Sequence, residues 1–201
     1  HAPTNIRLEN LKIEAVGPIP LYIGPGSTKV RITNSHFTGE SNSTVIYLDS
    51  ESSSNTIQNN VIDVKTRYRH REVIAVDGSA YNVISHNTFK RLKHGGIYLY
   101  RNCGESGTIR HQKPQFNTIT KNDFKNNLMY PFSYAIWVGS REGKRLYCHE
   151  DDGKTFGSSA SNLDYAFNNY ISSNSFDSAR NSIKYSQYSK NKQLKAQTLR
   201  P

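Results

Sequence analysis

Apolar residues recur along this chain as pairs five positions apart: Leu8/Ile13, Ile32/Phe37, Ile57/Ile62, Ile84/Phe89, Ile119/Phe124 and Ile171/Phe176. Between the two members stands, in order, Leu11, Ser35, Asn60, Asn87, Asn122 and Asn174. Each copy predicts a short strand, a polar bend and a second short strand. Downstream of each lies a further apolar pair separated by one residue: Leu21/Ile23, Ile46/Leu48, Ile74/Val76, Ile97/Leu99, Ile136/Val138 and Ile183/Tyr185. Side chains alternate at period two along a strand, so both members of such a pair face one way and the residue between them faces the other.

The first apolar positions are separated by 24, 25, 27, 35 and 52 residues. Units of this size built from short strands predict a solenoid. The chain is rich in Asn, Ser, Thr, Tyr and Ile rather than in helix formers, so the expected fold is all-β: a single-stranded right-handed parallel β-helix of about six coils over residues 1–186. The Asn is expected at the bend itself, tolerating left-handed backbone angles and bonding locally, with Asn60, Asn87 and Asn122 stacked as an amide ladder. Two insertions, 102–115 and 139–167, interrupt the spacing, and long loops in a compact repeat usually carry function. The polar, basic segment 187–201 is expected as a tail, disordered or lying across the last coil. No amphipathic capping helix precedes the first coil. The chain is therefore expected to be one piece of a longer protein or to be capped by a partner.

Charge narrows the partners. The formal net charge of +10 predicts affinity for polyanions. No helix-turn-helix, zinc-finger or RNA-recognition signature points to nucleic acid, which leaves acidic polysaccharide. No run of about 18 apolar residues could form a membrane-spanning helix. Cys103 and Cys148 fall one in each insertion. As a disulfide they would tie the two loops together, worth about 3–4 kcal/mol on a chain-entropy estimate, in an oxidising compartment. Secreted or periplasmic localisation is the expectation.

The residues between the third apolar pairs read Tyr22, Tyr47, Ala75, Tyr98, Trp137 and Lys184. Stacked on successive rungs, they predict an outward aromatic platform roughly 24 Å long, whose ring faces suit the C–H faces of sugars. Mutual packing of good strand formers is the alternative. The next outward row, Gly24, Asp49, Asp77, Tyr100, Gly139 and Ser186, sets two carboxylates on neighbouring coils. These are expected as a shared-proton acid/base pair, a calcium site, or two solvated groups that diverge. The insertions bring Arg101, Arg110, His111, Lys113, Arg141, Lys144, Arg145 and His149 to one side of the aromatic row. Lys65, Arg67, Arg69, His70 and Arg71 come to the other. A cationic groove with an aromatic floor results, in which Tyr22, Tyr47, Trp137, Arg71, Arg110, His111, Arg141 and Lys184 are the expected substrate contacts.

The segments Glu72-Val-Ile-Ala-Val-Asp77, Asn87-Thr-Phe89 and Gly96-Ile-Tyr-Leu-Tyr-Arg101 resemble the central two coils of the chondroitinase B and alginate lyase group of polysaccharide lyases. More loosely, the repeats resemble those of mannuronan C5-epimerases. The lyase resemblance implies Arg101 as a catalytic arginine and Glu72 as a calcium ligand, while the group's lysine position is Asp77 here. The epimerase resemblance would want Asp or His with Tyr.

Both reactions on uronates begin with loss of the C5 proton, after an Arg or calcium ion neutralises the adjacent carboxylate. A base then takes the proton and an acid returns one. Arg101 is the expected neutraliser, His70 or Asp77 the base, and Tyr98 or Tyr100 the acid, its pKa lowered by neighbouring cations. Glu72, Asp49 and Asp77 are the expected ligands if calcium takes part. Two alternatives stand beside this reading: a glycan-binding β-helix without catalysis, such as a spike or adhesin fragment, and a glycoside hydrolase using Asp49 and Asp77.

Overall fold

The computed structural model describes residues 2–68, 71–102, 110–125, 129–141, 166–177, 182–186, 192–193 and 198–199. Each complete coil contributes three strands. The first coil is β1 (Arg7–Glu9), β2 (Lys12–Gly17) and β3 (Leu21–Ile23), and the second β4 (Arg31–Thr33), β5 (His36–Ser41) and β6 (Ile46–Leu48). The third is β7 (Thr56–Gln58), β8 (Val61–Thr66) and β9 (Glu72–Asp77), and the fourth β10 (Val83–Ser85), β11 (Thr88–Lys90) and β12 (Gly95–Tyr100). The fifth is β13 (Thr118–Thr120), β14 (Asp123–Lys125) and β15 (Ile136–Val138), and the sixth β16 (Tyr170–Ser172), β17 (Ser175–Phe176) and β18 (Ile183–Tyr185). Short strands β19 (Lys192–Gln193) and β20 (Thr198–Leu199) begin a seventh.

Every strand pairs in parallel with its counterpart one coil away, which builds three sheets of a right-handed β-helix. The β1 sheet and the β2 sheet hold seven strands each, and the β3 sheet holds six. The expected register is the observed one. Leu8, Ile32, Ile57, Ile84, Ile119 and Ile171 align along the β1 sheet. Ile13, Phe37, Ile62, Phe89, Phe124 and Phe176 align along the β2 sheet. These rows point inward and form the core, where Phe89 stacks on Phe124 at 4.7 Å and Phe124 on Phe176 at 5.1 Å. Within the segment expected as a tail, β19 pairs with β16 and β20 with β17, so these two strands continue the winding.

The amide ladder is present, and it works differently from the sequence expectation. Asn60 Oδ1 accepts the backbone N–H of Ser35, and Asn87 Oδ1 accepts both the N–H and the Nδ2 of Asn60 at 3.0 Å. The same exchange links Asn87 to Asn122 and Asn122 to Asn174. The bonds thus run between coils rather than locally. The left-handed residue is the one before each ladder position: Asn34, Asn59, His86, Lys121 and Ser173 have φ between 51° and 57°. That residue takes the corner with its side chain outward, so the Asn after it can turn inward and meet its neighbours.

A second ladder, Asn55, Asn82, Asn117 and Asn169, holds the preceding corner by the same bonds. The sequence carried a signal for it, since each of these stands two residues before Ile57, Ile84, Ile119 or Ile171.

Candidate functional site

The outer face of the β3 sheet carries the predicted row in the predicted register: Tyr22, Tyr47, Ala75, Tyr98, Trp137 and Lys184 lie side by side on successive strands. They do not form an open platform. Tyr22 is 52 % exposed, whereas Tyr47, Tyr98 and Trp137 are 8 %, 3 % and 7 % exposed. Together with Ala75 and Tyr100 the three buried rings make a second apolar cluster outside the coil's core, with Ile19 and Tyr134 packed against it.

The buried rings pack against one another, and two of them hydrogen-bond to neighbouring residues. Tyr98 donates to the His94 carbonyl at 3.2 Å and accepts the Tyr134 N–H. Gly95 makes room for it, since a Cβ there would come within 2.6 Å of the Tyr98 ring. Trp137 meets Tyr98 and Tyr134 edge-on at 5.4 and 5.3 Å. Tyr100, in register with Asp77, reaches back past the small Ala75 to donate to Glu72 Oε1 at 2.6 Å.

The predicted carboxylate pair holds a guanidinium. Arg110, returning from the first insertion, places Nη2 2.9 Å from Asp49 Oδ1 and Nε 2.7 Å from Asp77 Oδ2. All three side chains are buried. Asp77 also accepts the Tyr47 hydroxyl at 2.5 Å and the Asn102 N–H at 2.7 Å, and Asp49 accepts the Tyr22 hydroxyl and the Ser50 N–H. Following residues fasten the same return segment: Glu51 accepts the N–H groups of His111 and Gln112, and the Gln112 amide donates to the carbonyls of Ser52 and Gly78. Gly78 permits this approach, with φ of +60° and Arg110 Cβ 3.1 Å from where its own Cβ would lie. The pair is therefore neither solvated and divergent nor free to share a proton.

Burial sets the titration of these groups. Asp77 is pushed from 3.8 up to about 6, loss of water outweighing Arg110 and the Tyr47 hydrogen bond. Burial likewise raises Glu72, against the donors Tyr100 and Thr44. It raises the phenols of Tyr47, Tyr98 and Tyr100 well above their ordinary value, with Asp77 or Glu72 adding to the rise. The expectation of a phenol lowered by cations is thus reversed for Tyr98 and Tyr100. The Tyr22 phenol goes up to about 12, through burial and its bond to Asp49.

The predicted calcium ligands do not converge. Asp49 and Asp77 turn to Arg110, Glu72 bonds Tyr100 and Thr44, and no group of three His, Cys, Asp or Glu among the described residues could hold a metal ion. Arg101 closes β12 and is buried at 8 % exposure. Arg71 and His111 are exposed. Arg141 lies over the Tyr100 ring, 5.6 Å from its centre, and the Lys184 ammonium stands 5.1 Å from the Tyr134 ring centre and 4.9 Å from that of Trp137. His70, Lys144, Arg145, His149, Cys103 and Cys148 lie outside the described residues.

The role of Arg110 as shared partner of Asp49 and Asp77 escapes sequence reading, because Arg110 falls in the insertion 102–115, where periodicity gives no register. Residues 3–143 match the family model for the right handed beta helix region. No curated protein and no solved structure gives a match.

Proposed function

From the premise that the chain belongs to the right-handed β-helix family, we propose that it binds an acidic, uronate-containing polysaccharide along the outer face of the β3 sheet. The observation that carries this reading is the pairing of cations with rings on that face. Lys184 lies over Tyr134 and Trp137, and Arg141 over Tyr100, while Asp49, Asp77 and Glu72 are buried and internally bonded. Among the described residues, the face thus offers positive charge on an apolar bed with its own carboxylates withdrawn. Carboxylates spaced along a sugar polymer are the complementary ligand, and exposed Tyr22, Arg71 and His111 extend the surface. A partner of this chemistry fits a secreted or periplasmic setting.

The test is retardation of the protein in native gels cast with alginate, polygalacturonate or chondroitin sulfate, against dextran as the neutral control. Retardation by the acidic polymers that fades with added salt supports the reading. Equal mobility in all gels removes it.

A lyase or epimerase is the second reading, favoured by one observation. Burial pushes the Asp77 carboxyl from 3.8 up to about 6, nearer to neutrality than an ordinary carboxylate and so better suited to a base. It touches Tyr47 and, through Arg110 and Asp49, connects to the exposed Tyr22. Release of ultraviolet-absorbing unsaturated uronate, or an NMR change at C5, would establish it. The hydrolase alternative needs space for a sugar between its carboxylates, and Arg110 fills the gap between Asp49 and Asp77.

A further inference from the structure

The corner that precedes each β1-sheet strand is a left-handed position, filled on successive coils by Asn5, Lys29, Ser54, Tyr81, Phe116 and Asn168, all with φ between 56° and 59°. Asn tolerates that backbone well, whereas for bulky side chains it is an outlier. Tyr81 and Phe116 nevertheless occupy it on adjacent coils. Their rings stack at 5.1 Å and 15°, and they are 55 % and 43 % exposed. The fold does not ask for aromatic residues there, as Ser54 and Asn168 show on the flanking coils.

Those flanking residues are small, polar and exposed, so the ring pair is bordered on either side by open space and hydrogen-bonding groups. Beside it, exposed Val83 and Tyr170 occupy one outward row of the β1 sheet, in register with Thr118. At the far end of the same strands stand exposed His86 and Lys121. Across the outward positions from 81 to 86, 116 to 121 and 168 to 173 there is no carboxylate.

We propose that Tyr81 and Phe116 form a second polysaccharide contact, on a different sheet from the candidate site, in which sugar rings lie against the aromatic pair and a carboxylate-bearing unit meets His86 or Lys121. Flat ring faces suit sugar C–H faces; Asp123, two residues from Lys121, is bonded to Lys125 and Ser175, so exposed His86 and Lys121 favour a uronate polymer over a basic or purely apolar ligand. This inference rests on the polysaccharide reading given above and extends it: one chain crossing from the β3 sheet to the β1 sheet, or two chains, would be held at two places.

Gels cast with alginate, polygalacturonate or dextran test it on the full chain. The double variant Tyr81→Ser/Phe116→Ser introduces the residue that already serves at position 54, and its melting temperature should match or exceed that of the unaltered protein. The expected result is at least a threefold weaker retardation by the acidic polymers, with a comparable and separate loss from Lys184→Ala/Arg141→Ala. If only the latter pair weakens retardation, the second contact is overturned while the first reading stands. If no polymer retards the unaltered protein, both fall. If sedimentation finds a dimer that the Tyr81→Ser/Phe116→Ser variant dissociates without any change in retardation, the patch is a self-contact and the proposal is overturned.

Discussion

Arg110 Nε lies 2.7 Å from Asp77 Oδ2, and neither side chain is more than 5 % exposed. The same guanidinium reaches Asp49, so one cation from an insertion joins carboxylates of two coils. Removing one partner of a buried ion pair leaves an uncompensated charge, which typically costs about 3–5 kcal/mol. Arg110→Met should therefore destabilise the protein by about that amount in urea denaturation. Asp49→Asn/Asp77→Asn placed on top should recover a large part of the loss. A single Arg110→Met variant as stable as the parent would mean that the guanidinium contributes nothing net.

Stability should also depend on pH through Asp77. Its folded pKa, about 6, is above the unfolded value of 3.8, so between those values the folded protein binds more protons than the unfolded chain. Stability then falls as pH rises through that window: the contribution is complete below 3.8 and is lost once pH passes about 6. The difference corresponds to about 3 kcal/mol. Asp77→Asn should reduce the slope in this part of the profile, measured as urea midpoints between the two values, with the raised Glu72 accounting for slope that remains. An unchanged slope in that variant would assign the dependence to another group.

The repeat was legible because inward positions obey one rule on every coil. Ile84 and Phe89 need only an apolar core above and below, and the five-residue spacing survives insertions elsewhere. The outward face obeys no such rule. The pattern puts Tyr98 on that face, yet the burial of its ring depends on Gly95, on the His94 carbonyl and on Tyr134 from the next coil. The pattern makes Asp49 and Asp77 neighbours, but their partner comes from a segment without periodicity. Sequence pattern gives register, and the chemistry of the face depends on what returns to cover it.

The ladder makes a prediction about polarity. Asn87 Oδ1 accepts two bonds from Asn60, while its Nδ2 donates to the Ile57 carbonyl and to Asn122 Oδ1. Asn87→Ala should cost about 3 kcal/mol, because buried donors on Asn60 lose their acceptor. Asn87→Asp keeps the acceptor but sets a carboxylate oxygen against the Ile57 carbonyl and the Asn122 amide oxygen, so at neutral pH it should be no milder. Asn60→Ala, at the start of the ladder, should cost less, since its Oδ1 accepts only the Ser35 N–H. Equal urea midpoints for all three variants would show that the corner backbone, rather than the amides, holds the coil.

Trp137 is the chain's single tryptophan, and the Lys184 ammonium stands 4.9 Å from its ring centre. A polyanion that draws Lys184 toward its carboxylates changes the field at the indole, so titration with alginate should change Trp137 emission while dextran leaves it constant. Lys184→Met should abolish most of that response and weaken binding roughly two- to fivefold, the range expected for one surface charge. Arg141→Met should weaken binding by a similar factor with the emission response kept, since Arg141 lies over Tyr100 instead. Raising the salt from about 0.05 M to about 0.5 M should weaken binding of the unaltered protein far more than that of a Lys184→Met/Arg141→Met double variant, because mobile ions screen surface charges over these distances. Emission that responds to alginate equally in the unaltered protein and in Lys184→Met would place the polymer elsewhere on the coil.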